Sequence, residues 1–103
     1  MDIPGYAGKI LHVDLTENGF EDRPMDPEWA FRFLGGWGIN AVLAQKQLRP
    51  EADPLSEENV IIIGTGPFSG TLVPGSAELT ITTKLPLSNG IGTGCGGGHF
   101  PLM

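Results

Sequence analysis

The residues that could do chemistry in this chain are few, and most lie in or beside a run of glycines. Gly92-Thr93-Gly94-Cys95-Gly96-Gly97-Gly98 is followed directly by His99. Cys95 is the only cysteine, and His12 is the only other histidine. Zinc and iron–sulfur sites need about four such ligands, so this chain cannot complete either on its own. We therefore predict no catalytic residue and no metal ligand here.

The glycine run formally matches the G-x-G-x-x-G pattern of dinucleotide-binding loops between Gly92 and Gly97. That fold also needs a helix after the loop and an acidic residue about 20 positions later, and too few residues follow Gly97. Backbone without side chains can still approach a flat or anionic ligand closely and form an anion-binding nest. Glycines that serve only turns and bulges explain the composition equally well, so both interpretations stay open.

Other catalytic arrangements find no support in the sequence. Neither Ser69 nor Ser76 lies in a G-x-S-x-G elbow followed by a helix. The carboxylate pairs Glu21/Asp22 and Glu57/Glu58 stand in polar turns, where nothing nearby is expected to desolvate them. His12 is expected at the surface of a strand.

Charge and hydropathy exclude two classes of partner. The 103 residues carry six basic and twelve acidic side chains, a net charge of −6, which is the wrong sign for binding nucleic acid phosphates. No segment approaches the roughly 20 apolar residues that cross a bilayer, and no basic leader precedes an apolar run. We expect one domain over residues 1–103, located in the cytoplasm, with neither nucleic acid nor membrane as partner.

The second part of the chain is nearly uncharged. Residues 64–103 contain ten of the sixteen glycines and only two charged side chains, Glu78 and Lys84. Apolar residues recur through it at a spacing typical of a core. These are Val73, Leu79, Ile81, Leu85, Leu87, Ile91 and Phe100. Flexible linkers lack such residues, so this part is expected to fold.

Local patterns in the first half predict a hairpin and an interrupted helix. Alternating polarity predicts a strand over 9–15, and Asn18-Gly19 predicts a tight turn that returns the chain through 20–23. Asp26-Pro27 predicts the start of a helix that runs to about Leu34. Gly35-Gly36 interrupts the helical pattern, which resumes over 39–48.

Two further strands are predicted in the second half. The β-branched run 60–63 is expected to be a strand buried on both faces, and residues 78–84 alternate apolar residues with threonine. The order of elements favours an α+β fold with a mostly antiparallel β-sheet and one interrupted helix.

Six segments, taken in order, resemble the N-terminal region of the aldehyde ferredoxin oxidoreductases. They are Gly8-Lys9-Ile10-Leu11-His12-Val13-Asp14-Leu15-Thr16, Phe33-Leu34-Gly35-Gly36-Trp37-Gly38, Asp53-Pro54-Leu55-Ser56-Glu57-Glu58-Asn59, Thr65-Gly66-Pro67-Phe68-Ser69-Gly70-Thr71 with Pro74-Gly75-Ser76, Thr83-Lys84-Leu85-Pro86-Leu87-Ser88, and Gly96-Gly97-Gly98-His99-Phe100. The ordered match covers nearly the whole chain. It implies the fold of roughly the first half of that N-terminal domain.

The resemblance also implies a function. Members of the family hold a tungsten, or less often molybdenum, bis-pyranopterin cofactor and oxidise aldehydes to carboxylic acids. They pass the electrons through a [4Fe-4S] cluster to ferredoxin. The implied role of this chain is to cover the cofactor, with the remaining catalytic domains or subunit supplying the cluster and the substrate pocket. The implied cofactor-binding residues are Ser76, Glu78, Gly94, Cys95, Gly96, Gly97 and Gly98.

The chain departs from the family pattern at three informative positions. The resemblance implies an arginine near a pterin phosphate where Glu78 stands, an asparagine where Cys95 stands, and an arginine where Trp37 stands. An acidic side chain repels a phosphate unless a cation intervenes. A non-catalytic interaction module that kept the fold and lost the cofactor is therefore the alternative, and an independent small-anion binder is a third.

A half-domain is expected to leave a sheet edge and an apolar face without a partner. The resemblance implies that the complete N-terminal domain contains two similar halves. A homodimer whose twofold axis imitates that relation is one expected assembly, and completion on a larger catalytic chain is the other.

Overall fold

The computed structural model of the protein describes residues 3–102 and contains two antiparallel sheets and two helices. In chain order the elements are β1 (Lys9–Asp14), β2 (Gly19–Pro24), α1 (Pro27–Arg32), α2 (Trp37–Gln47), β3 (Ile61–Thr65), β4 (Glu78–Lys84), β5 (Ile91–Gly97) and a short 3-10 helix (Phe100–Leu102). β1 pairs with β2, and the second sheet has the order β3-β4-β5. The predicted α+β fold with a mostly antiparallel sheet and an interrupted helix is confirmed.

The predicted hairpin of β1 and β2 is present, but its loop is the four residues 15–18, and Gly19 is already the first residue of β2, opposite Asp14; the predicted tight turn at Asn18-Gly19 is therefore wrong. Asn18 takes a left-handed φ of 56°, which asparagine tolerates better than most residues, and Val13 pairs with Phe20 across the strands. The predicted alternation is also present. The side of β1 that carries Ile10 and His12 is half-buried, because Ile10 packs against the core. His12, expected at the surface, is thus on the more buried side of the hairpin.

The two helices begin and end for identifiable reasons. Asp26 caps α1, since its Oδ1 accepts a hydrogen bond from the Glu28 N–H at 3.0 Å, and Pro27 follows in the first helical turn. α1 ends at Arg32, before the predicted Leu34, because Leu34 has a φ of +66° that a right-handed helix cannot include. Gly36 then precedes α2 with a φ of +48°, so the predicted interruption is confirmed.

The core lies between α2 and one face of the second sheet. Leu43, Ala44 and Leu48 pack around Ile62 of β3, and Ile10 of the hairpin joins them. The other face of this sheet is open, because no element covers it within residues 3–102: Ile61 is 70% exposed. The prediction that residues 60–63 are buried on both faces is therefore wrong.

The predicted core residues of the glycine-rich half also lie largely at the surface. Leu79 is half-buried. The other six residues are exposed: Val73, Ile81, Leu85, Leu87, Ile91 and Phe100. The chain alone supplies too few elements to cover both faces of a three-stranded sheet. Within the described residues 3–102, these side chains are therefore exposed to solvent.

β5 is a strand that the sequence did not predict. Glycine has a low preference for strands, so residues 91–97 read as a loop. In the structure the segment pairs with β4 along its whole length, from Lys84 opposite Ile91 to Glu78 opposite Gly97. Tertiary pairing overrides the weak local preference. The glycines are accordingly part of a sheet and do not merely bend a loop.

Asn40 ties α2 to the sheet through a buried hydrogen-bond cluster. Its side chain is 1% exposed, and its Nδ2 lies 3.2 Å from Oγ1 of both Thr80 and Thr82. Gly64 permits this approach, because a Cβ at that position would lie only 2.5 Å from Asn40 Oδ1. The cluster fixes which face of the sheet α2 covers.

Among residues 3–102, neither helix is long and apolar enough to cross a bilayer.

Candidate functional site

A cavity of about 440 Å³ opens at one end of the second sheet, where β4 begins, β5 ends and the β3–β4 loop folds over both. Its lining consists of Thr71, Val73, Gly75, Ser76, Ala77, Glu78, Cys95, Gly96 and Gly97. Five of the seven predicted cofactor-binding residues therefore meet in one concave surface: Ser76, Glu78, Cys95, Gly96 and Gly97. We call this surface the Glu78 cavity.

Hydroxyl groups hold the β3–β4 loop in place over the Glu78 cavity. Ser76 Oγ lies 2.8 Å from the carbonyl oxygens of Phe68 and Val73, and Ser69 Oγ donates to the Ser76 carbonyl at 2.7 Å. These bonds satisfy carbonyl groups that have no strand partner in an irregular loop. Ser76 thus serves the shape of the cavity wall as well as lining it.

The side chain of Cys95 points to the same side of the sheet as α2. Cys95 pairs with Thr80, whose hydroxyl contacts Asn40 of α2, and directly opposed residues in an antiparallel pair share a face. Trp37 reaches the same place from the start of α2, since its Nε1 lies 3.4 Å from Cys95 Sγ. The helix and the end of β5 are therefore in contact beside the cavity.

A second, more apolar cavity of about 330 Å³ adjoins the first and shares Gly75, Ser76 and Glu78 with it. The other residues of its lining come from the α1–α2 turn, the β3–β4 loop and β4. They are Leu34, Gly35, Gly36, Trp37, Gly66, Pro67, Phe68 and Thr80. α2 begins at this cavity with Gly36 as a cap that has no side chain, and its first turn has no acidic residue.

Glu78 is the only charged side chain in the lining of either cavity. The three positions at which the sequence departs from the family pattern therefore meet in this region: Glu78 lines both cavities, Cys95 the first and Trp37 the second. A bare anion placed here meets a carboxylate and no lysine or arginine of the described lining. The local charge favours a neutral or cationic group.

The remaining predicted residues lie elsewhere. Gly94 is in β5 on the same side of the strand as Gly96, because residues two apart share a face, but it lines neither cavity, and a Cβ there would meet open space. Gly98 follows the strand with a φ of +109°, a conformation that favours glycine. His12 and His99 line neither cavity, and no cluster of three potential metal ligands occurs among residues 3–102.

Sequence reasoning missed the part of the surface that comes from loops. Val73, Leu34 and Phe68 line the cavities although nothing in their local pattern predicts it. Trp37 was noted only as a departure from a motif. Its spacing to Cys95 in the chain is 58 residues, so only the fold brings the two together.

The chain matches the family model described as "Aldehyde ferredoxin oxidoreductase, N-terminal domain" over residues 10–103. The chain belongs to this family. A tungsten-containing aldehyde ferredoxin oxidoreductase of Pyrococcus abyssi is 38% identical over 96 residues, which are 93% of this chain and 16% of the relative. The WOR-like subunit of an aliphatic sulfonate oxidoreductase of Pyrococcus furiosus is 37% identical over 84% of this chain and 14% of that protein.

A solved structure has the same fold. It is the active site complex BamBC of benzoyl coenzyme A reductase with 1,5-dienoyl-CoA, and one of its chains superposes with a TM-score of 0.91 at 31% identity. The superposition covers 95% of this chain and 15% of that chain. This protein thus spans about one-sixth of the length of the relatives it matches, and it corresponds to part of a larger oxidoreductase.

Proposed function

We propose that this chain is the cofactor-covering part of a tungsten-containing oxidoreductase of the aldehyde ferredoxin oxidoreductase family and has no catalytic activity alone. The single observation that carries the proposal is the Glu78 cavity, which gathers five residues that family resemblance implicates. Family membership over residues 10–103 supports the same proposal. The enclosing shape of the cavity supports a covering role.

The glycine side of the cavity suits the flat rings of a pyranopterin. Gly96 has open space where a Cβ would stand, and the nearest atom to a Cβ at Gly97 is the Ala77 carbonyl oxygen at 3.4 Å. A flat group can therefore lie close to the backbone of β5, whose free edge carries amide and carbonyl groups. In the complete enzyme the cofactor would supply the redox chemistry, while these residues orient it and exclude water.

The phosphate groups of such a cofactor do not suit Glu78. No cationic side chain among residues 3–102 lines the cavity, so we propose that the compensating charge comes from a bridging cation or from the rest of the oxidoreductase. We propose that the remaining domains or subunit provide that charge, along with the [4Fe-4S] cluster and the surface for ferredoxin. Aldehyde oxidation is the reaction proposed for the whole enzyme.

Gly97→Val, made in the complete oxidoreductase, tests the proposal. The variant places a branched side chain in the cavity at a position where the Cβ itself fits. We expect the variant to hold the cofactor about tenfold less tightly, because a clash of about 1.4 kcal/mol lowers an affinity by that factor, so the purified enzyme should retain less tungsten and pterin per polypeptide. Metal analysis and pterin fluorescence measure the result.

The matched control is Gly19→Val, since Gly19 also has open space around a Cβ and lies in β2, away from the cavity. It should keep the full complement of tungsten. Full tungsten in Gly97→Val would contradict the proposal. Loss of tungsten from Gly94→Val but not from Gly97→Val would instead place the cofactor on the other side of the sheet.

The second candidate is a non-catalytic interaction module, and the observation that favours it is the carboxylate of Glu78 in the cavity. On this reading Glu78→Arg leaves assembly with the rest of the oxidoreductase unchanged within about twofold, because an exposed single charge contributes little to affinity. Co-elution and titration measure it. Glu57→Arg, at an exposed loop position, is the control. Tungsten bound to the protein without any substitution would contradict the proposal of a non-catalytic module. A large loss of assembly in Glu78→Arg but not in Glu57→Arg would also contradict it.

A further inference from the structure

The β1–β2 hairpin has an apolar side that nothing in residues 3–102 covers. Val13 and Phe20 are directly opposed across the strands, so their side chains share this side with Leu11. Leu11 is 60% exposed, Val13 53% and Phe20 79%. We call the three side chains the outer face of the hairpin.

A two-stranded hairpin of this kind is marginally stable in water, and it needs packing to persist. The opposite side has that packing near its base, where Ile10 contacts the core. The outer face has none. Three neighbouring apolar side chains on a projecting element are typical of a surface that another polypeptide covers.

The margin of the outer face indicates the chemistry of its partner. Asp22 lies directly opposite Leu11 on the same side and forms an ion pair with Lys9 at 3.2 Å, so the two charges cancel beside the apolar side chains. An apolar centre with a polar rim is the usual anatomy of a protein–protein interface. A lipid surface would call for an excess of lysine and arginine, which this side does not have.

We propose that the outer face of the hairpin docks onto an apolar segment of the remaining oxidoreductase polypeptide, with Phe20 as the anchor. The segment that matches this chain is 14–16% of the length of these two relatives. In them, the fold is therefore part of a much longer polypeptide. The BamBC chain has the same fold with a TM-score of 0.91 over 95% of this chain, although the match is only 15% of that chain. The hairpin therefore belongs to a fold that persists within a much longer protein.

This occupant is favoured over a second copy of the chain. A homodimer would bury the same apolar side chains, but the similar proteins carry this fold within a much longer polypeptide, which can cover the face without a second copy. The proposal rests on family membership and does not depend on cofactor binding by the Glu78 cavity. Its failure and that of the proposed function are consequently separable.

Hydroxyl-radical oxidation of the intact oxidoreductase, read by mass spectrometry, tests the docking surface. The protection of Phe20 is its oxidation rate in denaturant divided by its rate in the native protein. A docked ring at an interface centre should be protected about tenfold or more, since such positions exclude water. A ring that is 79% exposed should show almost no protection, and that result would overturn the proposal.

Two further outcomes are informative. Protection that disappears when the intact protein is separated into single copies would identify a second copy as the occupant and reject the proposal. Phe20→Thr should expose Leu11 and Val13 to oxidation, whereas Phe31→Thr, which removes a ring of equal 79% exposure from α1, should not. Equal protection of Leu11 in both variants would show that Phe20 is not the anchor. Each readout is independent of tungsten content.

Discussion

Replacing Gly38 with alanine will destabilise the protein by about 3 kcal/mol or more, although alanine normally stabilises a helix relative to glycine. A Cβ at this position would lie 2.1 Å from the Phe33 carbonyl oxygen and 3.0 Å from its carbon. The obstacle is backbone, so no side-chain rotation relieves it. The Phe33 carbonyl also accepts a hydrogen bond from the Gly35 N–H at 2.8 Å. This bond holds the turn between α1 and α2 close to the carbonyl. Urea unfolding at an unchanged slope measures the loss.

The matched control is Ala41→Gly, an exposed position of the same helix. It should cost only about 1 kcal/mol, through helix propensity alone. The two substitutions exchange the same residues in opposite directions. A Gly38→Ala variant that is more stable than the unchanged protein would show that the turn can move away from the Cβ.

The close approach of Gly38 to the Phe33 carbonyl also affects the candidate site. Gly38 directly follows Trp37, whose indole contacts Cys95 beside the Glu78 cavity. The N–H of Gly38 bonds to the Gly35 carbonyl at 3.0 Å, so the tight turn sets where α2 begins. A displaced turn would therefore move Trp37 as well as lower stability.

Lys84 is a buried cation at the opposite end of β4 from Glu78. It is 3% exposed, and its Nζ donates to the carbonyl oxygens of Ala52, at 2.6 Å, and of Pro50. These carbonyls belong to the loop that follows α2. The ammonium group thus joins the loop to the end of the strand, and its charge is balanced by carbonyl dipoles.

Lys84→Met will lower the free energy of unfolding by about 3 kcal/mol, because it leaves the buried Ala52 carbonyl and the part-buried Pro50 carbonyl without this donor while keeping most of the side-chain volume. Urea or thermal unfolding measures this change. Lys46→Met is the control, since Lys46 is exposed in the last turn of α2, with its Nζ 5.6 Å from the centroid of the Trp29 ring. That variant should lose less than about 1 kcal/mol. Equal losses in both would contradict the role given to the buried ammonium.

Local chemistry made several elements predictable. Asn18 takes the left-handed conformation at the end of the loop between β1 and β2, as asparagine readily does, and Asp26-Pro27 specified the start of α1 through the cap and the ring of proline. The paired glycines at 35 and 36 marked the break between the helices. Each signal acts within a few residues, so it survives without knowledge of the fold.

Burial was less predictable than the elements themselves. Alternation shows which side chains share a face, but it does not show which face meets a neighbour. The alternation in β1 puts Leu11 and Val13 on one side of the strand, and the structure shows that this side is the exposed one. Ile61 is exposed for the same reason, since α2 covers only the other face of the sheet.

The candidate site, too, could be predicted only in part. The residue types of Glu78 and Cys95, and the glycines around Cys95, were evident in the sequence, as was the family they resemble. The pairing of β5 with β4, the contact between Trp37 and Cys95 and the enclosure by the β3–β4 loop were decided only by the tertiary structure. Capping, turn formation and backbone freedom depend on neighbours in the chain, whereas enclosure depends on distant segments whose approach is set by packing over the whole fold.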